Sequence, residues 1–223
     1  MSVLKVEPRT GWLLLTLDRA DKRNALSIEL RDAISDELER AGADHEVKAV
    51  AVTGAGGTFS AGWDLSEFER AGADPDLGRR IWASGDRFHH TLLTFPLPLV
   101  AALNGAALAG AFDLAVCCDV RIAASTARFA HPEFRWADVL YAPLEAVVGG
   151  AIARDLLLTG REVDAATALS LNLVSSVVDP ADLPAELETV MDRIVAAPRD
   201  ALLRTKDKAI RRAAIELRPT LEL

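Results

Sequence analysis

Residues 98–123, PLVAALNGAALAGAFDLAVCCDVRIA, decide the fold class of this chain. The apolar run 98–105 closes on an Asn-Gly pair, which predicts a strand that ends in a turn. The alanine- and leucine-rich stretch 106–118 predicts a buried helix, and DVRIAAS at 119–125 predicts the next strand. A strand, a helix and a strand in direct succession indicate an α/β architecture.

The same alternation continues on both sides of this stretch. Hydrophobic periodicity predicts strands at 11–17, 47–54, 127–131 and 174–178. It predicts helices from Ser27, which is a good N-cap, at 76–95, beyond Glu145, from the cap Asp164, and from Ala181 to the end. We find no internal repeat, low-complexity tract or linker in the sequence, which favours one continuous core.

The overall charge excludes some classes of partner. The chain has 33 acidic and 25 basic residues and a formal net charge of -8. Nucleic acids and anionic membranes attract clusters of Lys and Arg, so neither is an expected partner. The two cysteines, Cys117 and Cys118, are sequence neighbours, where a disulfide is implausible and the spacing of a metal site is absent. We predict a reduced, cytoplasmic protein without export or membrane insertion.

A second stretch, GTFSAGWD at 57–64, follows the predicted strand 47–54. Its glycine spacing matches the start of a Walker-type P-loop, but Trp63 stands where the lysine belongs and Asp64 where the hydroxyl belongs. A dinucleotide fingerprint also fails, because Phe59 occupies the third glycine position. The loop is therefore expected to hold a ligand other than a phosphate chain.

Two glycine-containing turns from a strand to a helix, at 61–64 and 104–113, can each leave free backbone N–H groups at the start of the helix. Two such donors that converge on one point would form an oxyanion hole, which stabilises an enolate or a tetrahedral oxyanion. The spacing alone leaves both chemistries open.

Five segments carry a resemblance to a known family. They are NAL from Asn24, TGAGGTFSAGWDL at 53–65, the stretch 98–123, FAHPE at 129–133, and REVDAATALSLNLVSSVV at 161–178. Together they resemble the enoyl-CoA hydratase/isomerase (crotonase) family. The resemblance implies a spiral of ββα units over residues 1–190, a shortened C-terminal helical segment at 191–223, an acyl-CoA substrate, and a trimer or hexamer.

The resemblance also implies a set of site residues. The oxyanion donors would be the backbone N–H groups of Trp63 and Gly110, and the paired catalytic acids would be Asp113 and Glu133. The segments that match the family's CoA-binding stretches contain Arg23, Ala25, Leu26, Ala61, Asp64 and Leu65. No metal or redox cofactor is expected, since the CoA thioester itself activates the substrate.

Hydration of a 2-enoyl-CoA needs a base for the water and a proton donor for the α-carbon, so two carboxylates favour it. Movement of a double bond needs only one carboxylate, which leaves an enoyl- or dienoyl-CoA isomerase as the first alternative. A non-catalytic acyl-CoA-binding protein and a hydrolase of carbon–carbon or thioester bonds are further alternatives. His131 could contribute to the hydrolase, although a catalytic histidine is not favoured.

Several positions depart from the family pattern. Asp113 is shorter than the glutamate usual in hydratases and resembles the dienoyl-CoA isomerases, but Tyr141 stands where those enzymes carry a further aspartate. The loop 134–150 is shortened, and its aromatic residues suggest an altered acyl pocket. Elsewhere, we predict a structural ion pair between Asp119 and Arg121, and an exposed or interface position for His89 and His90.

Overall fold

The computed structural model describes residues 2–223 and contains ten strands and nine α-helices in that part of the chain. In chain order they are β1 (Leu4–Arg9), β2 (Trp12–Leu17), α1 (Ile28–Ala43), β3 (Ala49–Gly54), β4 (Thr58–Ser60), α2 (Leu65–Ala71), α3 (Pro75–Thr94), β5 (Leu99–Leu103), β6 (Ala106–Leu108), α4 (Gly110–Cys117), β7 (Val120–Ala124), β8 (Arg128–Ala130), α5 (Ala142–Val148), α6 (Gly150–Thr159), β9 (Val163–Asp164), α7 (Ala165–Ser170), β10 (Ser176–Val178), α8 (Leu183–Val195) and α9 (Arg199–Ala213). Short 3-10 helices lie at Ala20–Lys22, Pro132–Arg135 and Thr220–Glu222.

The strands form two sheets. The larger has the order β1-β2-β3-β5-β7-β10, and all of its pairs are parallel except β1 with β2. The smaller has the order β4-β6-β8-β9, in which only β8 and β9 are antiparallel. Three successive strand pairs, β3–β4, β5–β6 and β7–β8, each add their first strand to the large sheet and their second strand to the small one. This repeat confirms the expected spiral of ββα units.

The central strands β3 and β5 of the large sheet are buried on both faces. In β5, Leu99, Ala101 and Leu103 contact the main core, while Val100 and Ala102 contact a second core beneath α8. Such double burial explains why the central strands appear in the sequence as continuous apolar runs and not as alternating patterns. The site therefore rests on a rigid, fully packed base.

Most of the predicted elements are confirmed, including both helix caps. Ser27 accepts a hydrogen bond from the Leu30 amide, and Asp164 accepts one from the Thr167 amide. The division of the chain at residue 190 stays a prediction.

Two helix predictions are corrected. The helix predicted at 106–118 begins only at Gly110, because 106–108 pairs as β6 between β4 and β8. The final helix predicted from Ala181 is two helices, since the chain turns at Pro198 between α8 and α9. Proline lacks the N–H that a continuing helix needs.

Two side-chain predictions are also corrected. His89 is buried, since it lies on the inner face of α3 and its Nδ1 contacts the Thr220 hydroxyl at 3.1 Å, whereas His90 is partly exposed. Asp119 forms its ion pair with Lys206 of α9 at 2.6 Å and not with Arg121. Arg121 instead donates to backbone carbonyls, among them that of Leu173.

Candidate active site

The turn that leads to Trp63 is held in place by Asn24. The Asn24 side-chain amide donates to the carbonyls of Ala55, Thr58 and Phe59, at 2.9, 2.9 and 3.2 Å. Its own backbone has a φ of 54°, in the left-handed region that Asn tolerates better than most residues. Local conformation and side-chain reach together explain why an asparagine suits this position.

The two glycine-containing turns touch each other at Gly62. A Cβ atom on Gly62 would lie 2.6 Å from the Leu108 carbonyl oxygen and 2.7 Å from the Ala109 Cβ, and the φ of Gly62 is +88°. Both the space and the backbone conformation therefore require glycine. This close approach brings the turn before α2 against the turn before α4.

Each of these two turns presents a free amide. Gly110 is the first residue of α4, so its N–H has no partner within the helix. On the other turn, Leu26 N–H donates to the Gly62 carbonyl and Asp64 N–H donates to the Leu26 carbonyl. These bonds flank Trp63 and leave its own N–H outside the pairing.

The Trp63 indole fills the space between two helices. It lies directly against the Cα atoms of Gly85 on α3 and Gly110 on α4, where any side chain would collide with it. The Arg31 guanidinium lies 4.3 Å from the ring centroid, and Trp82 lies 5.6 Å away. Trp63 is therefore fixed as part of the wall beside the first turn of α4.

The two predicted acids come together around a histidine. Asp113 is on α4, one turn after Gly110, and Glu133 is in the 3-10 helix that follows β8. His131 lies between them: its Nδ1 is 2.9 Å from Glu133 Oε1, and its Nε2 is 3.6 Å from Asp113 Oδ1. The imidazole stacks on Phe112, with 4.8 Å between ring centroids and 24° between the planes.

This cluster contains most of the unsatisfied buried polar atoms of the protein. Four buried side-chain nitrogen or oxygen atoms of residues 2–223 have no hydrogen-bond partner. Three of them are Asp113 Oδ1, His131 Nε2 and Glu133 Oε2, and the fourth belongs to His89. Buried polar groups are nearly always paired, so this concentration marks the cluster as functional.

The electrostatics of the cluster differ from those of exposed groups. The pKa of Asp113 is raised to about 7. Burial is the largest cause, His131 acts to lower the pKa, and Glu133 acts to raise it. Burial lowers the pKa of His131, but the Asp113 and Glu133 carboxylates outweigh it and raise the pKa above the ordinary value. The Asp113 carboxyl can therefore change protonation state near neutral pH, as acid–base chemistry requires.

Asp113, His131 and Glu133 also offer ligand atoms within 4.8 Å of one another, as a metal site does. However, each ring nitrogen of His131 faces a different carboxylate, so the ring separates the two acids. Both ring nitrogens thus already face a carboxylate. The arrangement fits a hydrogen-bonded acid–base unit better than a metal centre.

The residues predicted to bind CoA lie on two segments that run side by side. Ala61 N–H donates to the Arg23 carbonyl at 2.9 Å, and Leu26 pairs with Trp63 in an isolated bridge. Among the predicted residues, Arg23 and Leu65 are exposed, Leu26 is buried, and Ala25, Ala61 and Asp64 are partly buried.

Asp64 has a partner that the sequence did not reveal. Its Oδ2 accepts a hydrogen bond from Arg19 at 2.9 Å, and its Oδ1 accepts one from the Ser66 amide. Burial acts to raise the pKa of Asp64, but the bonds from Ser66 and Arg19 outweigh it and lower the pKa below its ordinary value. Asp64 therefore caps α2 as an ionised group whose charge is already matched by Arg19.

Comparison with known proteins identifies the family. The sequence model described as enoyl-CoA hydratase/isomerase matches residues 7–222. The chain belongs to the enoyl-CoA hydratase/isomerase family. A putative enoyl-CoA hydratase of Thermus thermophilus is 35% identical over 197 residues, 86% of this chain and 77% of the relative. A 2,3-dehydroadipyl-CoA hydratase of Escherichia coli is 34% identical over 217 residues, 96% of this chain and 83% of the relative.

Solved structures agree with this assignment. An enoyl-CoA hydratase/isomerase from Xanthobacter autotrophicus Py2 superimposes with a TM-score of 0.88 at 34% identity, covering 95% of this chain and 80% of that one. The match confirms the crotonase-like fold. No helix among residues 2–223 combines the length and the apolar character needed to cross a bilayer.

Proposed function

We propose that this member of the enoyl-CoA hydratase/isomerase family hydrates a 2-enoyl-CoA, with Glu133 as the principal acid/base and Asp113 assisting. One observation carries the proposal: two separate elements bring two carboxylates to the same imidazole, one turn beyond the first amide of α4. Hydration needs a base for the water and a proton donor for the α-carbon. Two carboxylates beside one double bond meet both needs.

The backbone N–H groups of Trp63 and Gly110 form the oxyanion hole in this proposal. Both belong to turns that touch at Gly62, and the Gly110 amide also lies at the positive end of α4. Donors placed at this point stabilise the negative charge that develops on the thioester oxygen as the enolate forms. The fixed Trp63 ring keeps its own amide from shifting.

The segments around Arg23 and Asp64 bind CoA in this proposal. The six residues concerned are Arg23, Ala25, Leu26, Ala61, Asp64 and Leu65. Two facts support the assignment: the segments lie side by side, and Arg19 already neutralises the Asp64 carboxylate. A free carboxylate would repel the phosphates of CoA, and the ion pair reduces that repulsion.

No metal or redox cofactor takes part in this proposal, because the thioester supplies the electron sink and the carboxylates move the protons. We also propose a homotrimer or hexamer, which light scattering after size-exclusion chromatography would test. A cytoplasmic location is supported by Cys117 and Cys118, which are both free thiols in a buried position.

The test is product analysis by mass spectrometry. The protein is incubated with 2-enoyl, 3-enoyl and 3,5-dienoyl CoA thioesters, with and without a metal chelator, and the Glu133→Gln variant is run in parallel. Gain of one water that depends on Glu133 and resists the chelator supports the proposal. Release of free CoA would indicate a hydrolase, and binding of the thioester without turnover would indicate a binding protein.

Double-bond isomerisation is the second candidate, and one observation favours it. Burial raises the pKa of Asp113 to about 7, so this carboxyl is substantially protonated at neutral pH. Glu133 would then be the single base, which is enough to move a proton between two carbons of an enoyl chain. A product with a shifted double bond and unchanged mass would select this reaction.

A further inference from the structure

We propose that His131 is a positioning residue that keeps the two acids in different protonation states. Its Nδ1–H holds Glu133 as the ionised base, and its Nε2 and the Asp113 carboxylate together hold one proton. This inference rests on the proposed function, because it assigns separate roles to the two carboxylates of that site.

The first argument is that the ring is fixed. His131 is 2% exposed, follows β8 directly and stacks on Phe112 of α4. A 180° flip of the ring would keep this stacking but would remove the contact between Nδ1 and Glu133. The two nitrogens therefore keep their different neighbours.

The second argument assigns the hydrogen on Nδ1. In the proposed reaction Glu133 is the ionised base, and an ionised carboxylate can only accept hydrogen bonds. That role assigns the hydrogen of the 2.9 Å contact to Nδ1. This bond orients Glu133 Oε1 toward the ring. The second oxygen, Oε2, has no partner in the described part of the protein, and it stays available for water.

The third argument concerns the opposite side of the ring. Nε2 and Asp113 Oδ1 are 3.6 Å apart, both are buried, and neither has a hydrogen-bond partner within residues 2–223. A neutral imidazole next to an ionised, buried aspartate would leave that charge uncompensated, which is costly. One proton, either on Nε2 or on Asp113, removes the cost.

No other group near the ring supplies that proton. Cys117 lies on α4 one turn after Asp113, and burial raises the pKa of its thiol well above the ordinary value, so it stays neutral. The charges that act on His131 come from Asp113 and Glu133. The protonation of the cluster is therefore decided by three side chains.

These states match the two halves of hydration. Glu133 takes a proton from water as the hydroxyl adds to the β-carbon, and the proton held by Asp113 and His131 is transferred to the α-carbon of the enolate. The O–H bond of water and the bond that holds the proton on the Asp113–His131 pair break, and the C=C double bond becomes a single bond. A C–O bond, a C–H bond and an O–H bond on Glu133 form. Glu133 ends with one extra proton and the Asp113–His131 pair with one fewer, so a proton returns through solvent before the next turnover.

The test is NMR of the protein with ¹⁵N-labelled histidine, titrated from acid to alkaline pH. His131→Gln identifies the signal by its loss. We expect a His131 midpoint above the ordinary 6.5 or so. We expect both Asp113→Asn and Glu133→Gln to lower it, since both carboxylates raise the pKa of His131. A midpoint that neither substitution moves would overturn the proposal.

Kinetics give a second, independent readout. We expect His131→Gln to lower kcat about tenfold or more with little change in KM, while the exposed His45→Gln control leaves both unchanged. A wild-type kcat in His131→Gln would contradict the inference even if the enzyme proves to be a hydratase. Absence of turnover in the wild-type protein would contradict the proposed function, and the NMR titration would still decide the role of His131.

Discussion

Two buried charged clusters of this protein are built in opposite ways. Arg31 is completely buried, and its guanidinium donates to Ser84 and to the carbonyls of Leu26 and Ile81. Its partner Glu67 lies 4.0 Å away and accepts from the Ile28 amide through both oxygens. This cluster, which we call the Arg31 cluster, satisfies its polar atoms.

The Asp113–His131–Glu133 cluster is the opposite case, since each of its three residues keeps one buried polar atom without a partner. Both clusters cost desolvation energy, and the Arg31 cluster recovers more of it, because the second cluster makes only the contact between His131 and Glu133 among its own side chains. The comparison teaches that buried charge alone does not mark a functional site. The unsatisfied atoms distinguish the cluster to which we assign proton transfer.

The largest effect is expected from Glu133→Gln. Removal of a general acid/base lowers turnover by about 10²- to 10⁴-fold, whereas the fold keeps its core contacts. Steady-state kinetics beside a thermal melt would measure both. Unchanged turnover would show that Glu133 is not a catalytic residue. Loss of folding would show that Glu133 is needed for stability.

Arg31→Met is expected to show the reverse pattern. Removing one partner of a buried ion pair lowers the free energy of unfolding by about 3–5 kcal/mol. In a chain of this size, such a loss lowers the melting temperature by about 10 °C. Turnover per folded molecule should fall far less than in Glu133→Gln. A variant that melts like the wild type would show that the Arg31 cluster contributes little to stability.

Asp113→Asn sharpens the comparison through pH. Because the pKa of Asp113 is raised in the folded state, the folded protein binds more protons than the unfolded chain between about pH 4 and 7. Wild-type stability is therefore lost as pH rises through this window. Asparagine does not ionise, so the variant avoids the cost of a buried charge at this position. Its melting temperature should lie several degrees above that of the wild type at pH 8, and the difference should be smaller at pH 5.

If the melting temperature of Asp113→Asn exceeded that of the wild type by the same amount at pH 8 and at pH 5, the raised pKa of Asp113 would be contradicted. Activity of Asp113→Asn should also fall, which would identify a residue that costs stability and serves function.

The smallest effect is expected from Arg211→Ala, the matched control for exposed charge. Arg211 pairs with Asp207 one turn earlier on α9, and both side chains are more than half exposed. Such pairs contribute little, so the melting temperature should change by about 1 °C or less. A change as large as that of Arg31→Met would show that this exposed ion pair contributes as much to stability as the Arg31 cluster.

The sequence predicted the central framework well, for physical reasons that particular segments show. The stretch 98–123 alternates apolar runs with turn residues, and the pattern alone was enough to predict β5 and β7, which are largely buried. β1 was not predicted, because only Leu4 of its six residues is buried. The three residues of β6 were predicted as helix because alanine and leucine favour helices. Pairing with β4 and β8 overrides that preference in the folded protein.

The candidate site was predictable only in part. The positions of Asp113 and Glu133 came from the family resemblance, and the structure places both beside His131. The histidine was not favoured from sequence, because its contact with Asp113 joins β8 to α4 through tertiary packing alone. The partners of Asp64 and Asp119 were missed for the same reason, since Arg19 and Lys206 lie far from them in sequence.

The central claim is that the unsatisfied cluster adds water to an enoyl thioester. Its most direct test is mass spectrometry and NMR of the product formed from a short 2-enoyl-CoA in D₂O by the wild-type protein. We predict a 3-hydroxyacyl-CoA that carries one deuterium on the α-carbon. Recovery of unchanged thioester under conditions where the protein is folded and binds CoA, or release of free CoA, would contradict it.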